Sequence, residues 1–350
     1  MSRAERKLDH INYALSTGAS GGAGFDDVTF VHQSLPNTAL DDISLHIKLG
    51  ELQASSPFFI NAMTGGGGAK TEQLNKELSI AAKETGLMLS VGSQMAAIKD
   101  SSERASYSIT RKMNPKGIII GNLGSEATVD QAKMAVDMLE ANAIQIHLNV
   151  IQELAMPEGD RSFCGALGRI EAISKELEVP VIVKETGFGI SREAAVKLSN
   201  AGASVIDVGG FGGTNFSKIE NHRQTRELSF FNQWGIPTVP SIVETAGSAD
   251  CPIVASGGIQ SSLDIIKAIS LGASSVGVAG LFLKTLINEG VEELIDEIKW
   301  MQYEQKTIMT ALGAKSIPDL WNVPLVISGS SYHWLHTRGM EPDRFAKRSL

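Results

Sequence analysis

Cysteine is nearly absent from this chain of 350 residues: there are two, Cys164 and Cys251. Their separation matches no metal-binding spacing and cannot build a disulfide framework, so a reducing cytoplasm is the expected setting. Basic residues are outnumbered, 31 Lys and Arg against 39 Asp and Glu, for a formal net charge of −8. That balance argues against broad binding to nucleic acid or anionic membranes, and any anionic ligand must be held by a local cluster. No apolar run approaches the roughly 20 residues of a membrane span. No His/Cys cluster suggests zinc or iron. The opening residues, Met1 to Lys7, mix charges and lead into no apolar stretch, so no signal peptide is expected.

What the chain does have is a rhythm. Short apolar runs recur at 57–63, 87–91, 117–121, 143–148, 180–184, 204–208, 252–255 and 275–278. They are nearly continuous rather than alternating, as in parallel strands covered on both faces. Helical patterns at 70–85, 126–141, 165–177, 191–201, 240–247 and 262–271 lie between them. Eight strands and seven connections predict an α/β fold, a (β/α)8 (TIM) barrel, with an open doubly wound sheet as the alternative that periodicity does not exclude. The expected division is an N-terminal extension over 1–57, the barrel over 58–289, and a C-terminal helix and tail over 290–350. The connection from Gly209 to about Ile236 is unusually long for a barrel, which points to function or disorder.

Glycine marks the seventh and eighth strand ends. Val254-Ala255-Ser256-Gly257-Gly258-Ile259 is followed by Val276-Gly277-Val278-Ala279-Gly280. In a barrel these two loops form the phosphate site, because glycine lets backbone N–H groups approach an anion and a helix N-terminus adds a positive dipole. The other strand ends are polar, with Ser93, Asn122 and Thr214 suited to hydrogen-bonding a heterocycle. Lys184 follows an apolar strand and would aim an ammonium at the barrel mouth. It could stabilise a reduced flavin, form a Schiff base, or pair with Glu185. His147 reads equally as a packed core histidine or a functional one. Glu153 is the best candidate ligand for a hard cation such as Mg2+. Arg6, Lys7 and His10 share one face if helical, as a diphosphate clamp or as a solvated helix.

Taken together, these residues resemble the type 2 isopentenyl-diphosphate isomerases, FMN-dependent (β/α)8 barrels. The likeness runs nearly end to end, through Arg6-Lys7-x-x-His10, Asn61-Ala62-Met63-Thr64-Gly65-Gly66, Val91-Gly92-Ser93-Gln94, Gly121-Asn122-Leu123-Gly124, His147-Leu148-Asn149, Gln152-Glu153, Val183-Lys184-Glu185, Gly212-Gly213-Thr214-Asn215, Ser256-Gly257-Gly258 and Leu325–Gly329. The resemblance implies that Ala62, Met63, Thr64, Ser93, Asn122, Lys184 and Thr214 contact FMN, and that Gly257, Gly258, Ala279 and Gly280 hold its phosphate. It implies substrate contacts from Arg6, Lys7 and Gln152, a pocket lined by His10, His147 and Asn149, and Mg2+ on Glu153. Gln152, His147 and Lys184 become the catalytic candidates. NADPH is the implied reductant, isopentenyl diphosphate the substrate, and a homotetramer or homo-octamer the implied assembly. Two positions depart from the family pattern: Met95 stands where some relatives carry arginine, and Gly209 where serine is frequent. The competing readings are an FMN-dependent 2-hydroxy-acid oxidoreductase, for which His222 and Arg223 would serve, and a non-catalytic flavin-binding barrel. A nucleotide dehydrogenase would need a cysteine after the sixth strand, and Gly209–Asn215 has none.

Overall fold

A computed structural model describes residues 21–350. Its strands in chain order are β1 (Val28–Phe30), β2 (Ile47–Leu49), β3 (Leu52–Ala54), β4 (Phe58–Ile60), β5 (Leu89–Ser90), β6 (Ile119–Gly124), β7 (Ala143–Leu148), β8 (Val181–Glu185), β9 (Val205–Asp207), β10 (Ile253–Ser256), β11 (Ser275–Val278) and β12 (Leu325–Ile327). Strands β4 to β11 pair in parallel, each with the next, and β11 returns to β4 through Val276↔Phe58, Gly277↔Phe59 and Val278↔Ile60. The sheet is therefore a closed barrel, which excludes the open doubly wound arrangement. Strands this apolar need cover on both faces: Phe58, Phe59 and Ile60 are wholly buried, as are Ile144 and Ile146 of β7 and Ile206 of β9.

Most expected helices are present within a few residues. The one at Val129–Leu139 starts three residues late because Thr128 and Gln131 form a reciprocal capping box that sets its first turn. The helix at Thr238–Ala246 tolerates Pro240 because that residue lies in its first turn. Two helices, Met95–Lys99 and Ala105–Met113, fill a stretch for which the periodicity predicts none. A polar break separates them: Asp100 accepts from the Ser102 backbone N–H and hydroxyl and starts a short 3-10 turn. The long connection after β9 is also structured. It carries a helix at Phe216–Asn221 and a 3-10 turn at Ser229–Gln233, tied together by Asn232, which accepts from Asn215, Ser217 and Asn221.

The segments flanking the barrel close on each other. The β2–β3 hairpin turns at Gly50, against Ser204 and Val205 at the start of β9, and so covers the N-terminal end of the barrel. Strand β1 pairs antiparallel with β12, and Asp27 accepts from Ser330 and from the Ser331 backbone N–H. Residues 291–312 form one helix that packs on the helices at Gly68–Thr85 and Ser262–Ser270. The penultimate helix, Gly329–Thr337, is strapped to the barrel by Arg338 and Trp334, both donating to the buried carboxylate of Glu244. No helix among the described residues is long and apolar enough to cross a membrane.

Candidate active site

With the barrel closed, the eight strand C-termini converge on one cavity of about 290 Å3. Its walls include Ala62, Met63 and Thr64 after β4, Ser93 after β5, Asn122 on β6, His147 on β7, Gln152 beyond it, Lys184 on β8 and Thr214 after β9. Gly257 and Gly258 after β10, and Ala279 and Gly280 after β11, complete the ring. Asn149 and Glu153 do not line it; they bond to each other, Asn149 Nδ2 donating to Glu153 Oε1 at 2.8 Å. Arg6, Lys7 and His10 lie outside the described residues.

The glycine loops make a backbone cradle. Gly257 and Gly258 have φ of +102° and +72°, in the left-handed region where a side chain is strained. A Cβ on Gly257 would fall 2.0 Å from the Gly210 carbonyl oxygen, and one on Gly258 would fall 2.8 Å from Ala23 Cβ and Gly212. The loop is pinned by Thr238 Oγ1, which donates to the Gly257 carbonyl at 2.6 Å. Beside it, after the adjacent strand β11, a ten-residue helix, Gly280–Glu289, starts at the cavity wall and directs its N-terminal dipole there. In an acidic protein, this backbone arrangement is suited to an anion.

Lys184 sits in a row with its neighbours on the adjoining strands, His147 on β7 and Asp207 on β9. Its side chain is only 10% exposed, its Nζ donates to the Glu185 carbonyl at 2.9 Å, and it lies 3.7 Å from Asp207 Oδ2. The expected Lys184–Glu185 contact is thus to the backbone, and the carboxylate partner is Asp207. Glu185 itself is buried, and its carboxyl accepts from the Gly187 and Phe188 backbone N–H groups. Burial is the largest influence on it and pushes its pKa up to about 7, against the pull of those hydrogen bonds and of Lys184. Burial likewise raises Glu153, whose carboxylate accepts from the Asp160 N–H and from Asn149. Gln152 is held by Glu220, its Nε2 donating to Oε1 at 3.3 Å.

A buried polar layer that sequence reasoning assigns no role runs from Asn61 and Ser256, which line the cavity, to Ser90, Gln145 and Asp207 beneath it, all at or below 5% exposure. The signal was present, since polar side chains punctuate apolar barrel strands, but without the closed register nothing shows that they meet. Met95 is packed in the apolar core and does not face the cavity. At Gly209, φ is +45° and a Cβ would strike the Glu185 carbonyl oxygen at 2.0 Å, so this backbone accepts only glycine. Arg223 is clasped by Glu220 and by Glu158, the latter at 2.7 Å, and so is already neutralised as a binder of substrate carboxylate. Among the described residues no three His, Cys, Asp or Glu side chains cluster to hold a metal.

The comparisons with known proteins agree with this geometry. Residues 81–325 match the family model for FMN-dependent dehydrogenases. Proteins named isopentenyl-diphosphate delta-isomerase match almost throughout. That of Geobacillus sp. is 55% identical over 349 residues, 99% of this chain and 100% of the relative. That of Bacillus licheniformis is 56% identical and that of Bacillus thuringiensis 58%, each over the same shares. Among solved structures, mandelate oxidase with (S)-2-phenylpropionate superposes with a TM-score of 0.67 at 19% identity, over 93% of this chain and 98% of the other. A mutant flavocytochrome b2 with benzoylformate gives 0.68 at 18% identity, over 91% and 83%. At that identity the structural likeness speaks for the barrel alone.

Proposed function

The chain belongs to the FMN-dependent isopentenyl-diphosphate delta-isomerases and converts isopentenyl diphosphate to dimethylallyl diphosphate; from that premise we propose how its residues divide the work. Ala62, Met63, Thr64, Ser93, Asn122, Lys184 and Thr214 would hold the flavin ring, and Gly257, Gly258, Ala279 and Gly280 its phosphate. The observation that carries this reading is the single cavity all of them line, with a backbone anion cradle at one side and a buried ammonium at the other. When bound and reduced, with NADPH as reductant, FMN supplies a proton donor and acceptor for the allylic shift, which a simple alkene requires because it is a very poor base.

The chain's own residues bind, orient and exclude water. Lys184 places a positive charge on the cavity wall beside Asp207, where it would offset negative charge on a bound, reduced flavin. Gln152, whose amide is oriented by Glu220, would face the reacting carbons of the substrate. His147 offers an imidazole in the same wall. Glu153, held by Asn149 and Asp160, would ligate Mg2+, with the remaining ligands coming from the substrate diphosphate and water. Arg6, Lys7 and His10 would grip that diphosphate. In support, Ala23, near the start of the described chain, packs against Gly258 and Gly212 at the cavity. The 209–236 connection and the Arg6–His10 segment would shut out water, which would otherwise trap a cationic intermediate. We further propose a cytoplasmic homotetramer or homo-octamer, in keeping with two unpaired cysteines.

The test is an anaerobic assay of purified protein with FMN, NADPH, Mg2+ and isopentenyl diphosphate. Yellow protein forming dimethylallyl diphosphate is the expected result. Protein that stays colourless in excess FMN, or that binds it and forms no product, would refute the reading.

A further inference from the structure

We propose that Gln145, buried beneath the cavity, is a positioning residue: its amide is the link in a one-directional hydrogen-bond chain that fixes neutral His147 as the tautomer carrying its proton on Nδ1. The inference rests on the isomerase reading only for its catalytic meaning; the tautomer is a property of the protein itself.

The chain starts at two anchors whose direction cannot be reversed. Asp207 is wholly buried and accepts at both oxygens: Oδ1 receives the Gly209 backbone N–H at 3.2 Å and Ser256 Oγ, and Oδ2, 3.7 Å from Lys184 Nζ, receives Asn61 Nδ2 at 2.8 Å. The Ala62 backbone N–H only donates, and it gives to Asn61 Oδ1 at 2.9 Å. Each anchor alone orients the Asn61 amide, and the two agree. Asn61 Oδ1 therefore faces Gln145 as an acceptor, and Gln145 must present its amino group, Nε2, at 3.0 Å. That leaves Gln145 Oε1 on the far side, where it accepts from Ser90 Oγ at 2.7 Å and from Asn122 Nδ2 at 3.0 Å. With its amino group so engaged, Asn122 turns Oδ1 toward His147 Nδ1, 2.9 Å away. A carbonyl oxygen cannot donate, so the proton is on the ring nitrogen. In the neutral imidazole the lone pair then belongs to Nε2.

Reversing Asn61 or Gln145 would set oxygen against oxygen and amino group against amino group; reversing Asn122 would set oxygen against oxygen toward Gln145 alone, because His147 could meet an amino group by moving its proton. Each such buried clash disfavours the reversed orientation, so the direction is transmitted rather than averaged. Gln145 is the necessary link because both anchors lie on its Asn61 side, and Asn122 reaches them only through it. Closing the barrel decides this: β7 pairs Gln145 with Asn122 of β6 in register, whereas Asn61 follows β4 across the interior. A histidine in the wrong tautomer can lose up to about 10^4-fold in kcat, as when the carboxylate that orients a catalytic histidine is replaced.

The experiment is nitrogen-15 NMR of the FMN-loaded full chain carrying labelled histidine, with His147 assigned by its absence in His147→Gln. Above the titration of His147, the wild type should show a protonated Nδ1 and an unprotonated Nε2. Gln145→Leu should bring the two tautomers to comparable populations and lower kcat about tenfold, while FMN affinity changes less than about threefold. Gln145→Glu, which still accepts from Asn122, should keep the Nδ1–H form. A wild-type His147 protonated on Nε2 overturns the proposal without any variant, so it stands or falls even if Gln145→Leu does not fold. An unchanged tautomer in a folded Gln145→Leu also overturns it. A protein that shows the expected tautomers but forms no dimethylallyl diphosphate would instead sink the isomerase reading.

Discussion

Replacing Glu185 by glutamine isolates one buried carboxyl whose titration couples to stability. Glu185 is buried at the end of β8, and its pKa rises from 4.5 to about 7, mainly through loss of hydration. In the folded protein it holds its proton to about pH 7, whereas in the unfolded chain it loses it near 4.5. The stabilisation from this group is therefore complete below pH 4.5, is lost as pH rises toward 7, and is constant above that. At about 1.36 kcal/mol per tenfold change in proton affinity, the whole effect is about 3 kcal/mol, of which about 2 kcal/mol falls between pH 5 and pH 8. The amide of Glu185→Gln can still accept from the Gly187 and Phe188 N–H groups but does not titrate. Urea unfolding of both proteins without added FMN, at pH 5, 6, 7 and 8, gives the difference directly. At a slope of about 3 kcal/mol per molar urea, the wild-type midpoint should fall relative to the variant by about 0.7 M across that range. A difference between the two proteins that is the same at pH 5 and pH 8 would refute the raised pKa and the burial argument behind it.

Other outcomes follow from other parts of the structure. Gly258→Ala forces a side chain into a left-handed backbone position and against Ala23 and Gly212, so FMN affinity should weaken at least tenfold, read by fluorescence titration. Gln152→Asn shortens the amide away from Glu220 and should lower kcat at least about tenfold; an unchanged rate would remove Gln152 from the chemistry. Arg338→Ala leaves the buried carboxylate of Glu244 without its charged donor and should cost about 1–3 kcal/mol in thermal or chemical unfolding, with FMN binding unaffected. Phe58→Ala empties a wholly buried ring site beside Phe282 at the barrel's closing seam and should cost about 3–5 kcal/mol.

Much of the architecture was legible in the residues themselves. Both-face burial of a parallel strand leaves an unbroken apolar run, and glycine at positive φ leaves a glycine, so the eight strands and the two glycine-rich loops could be read in advance. The helices at Met95–Lys99 and Ala105–Met113 were not, because a polar cap at Asp100 breaks their pattern into pieces too short to show a period. The strand ends named as FMN contacts all face one cavity, since residue type at a strand terminus is a local property.

What the sequence alone determined was which residues stand at which strand ends. What only the tertiary structure decided was how those ends meet. The β11–β4 pairing that shuts the barrel, the Asp207 carboxylate as partner of Lys184, and the path from Asn61 through Gln145 to His147 join residues far apart in the chain, 84 positions in the case of Asn61 and Gln145. Strand periodicity says that a side chain points inward. It does not say across from whom, because that depends on the shear and closure of the whole sheet.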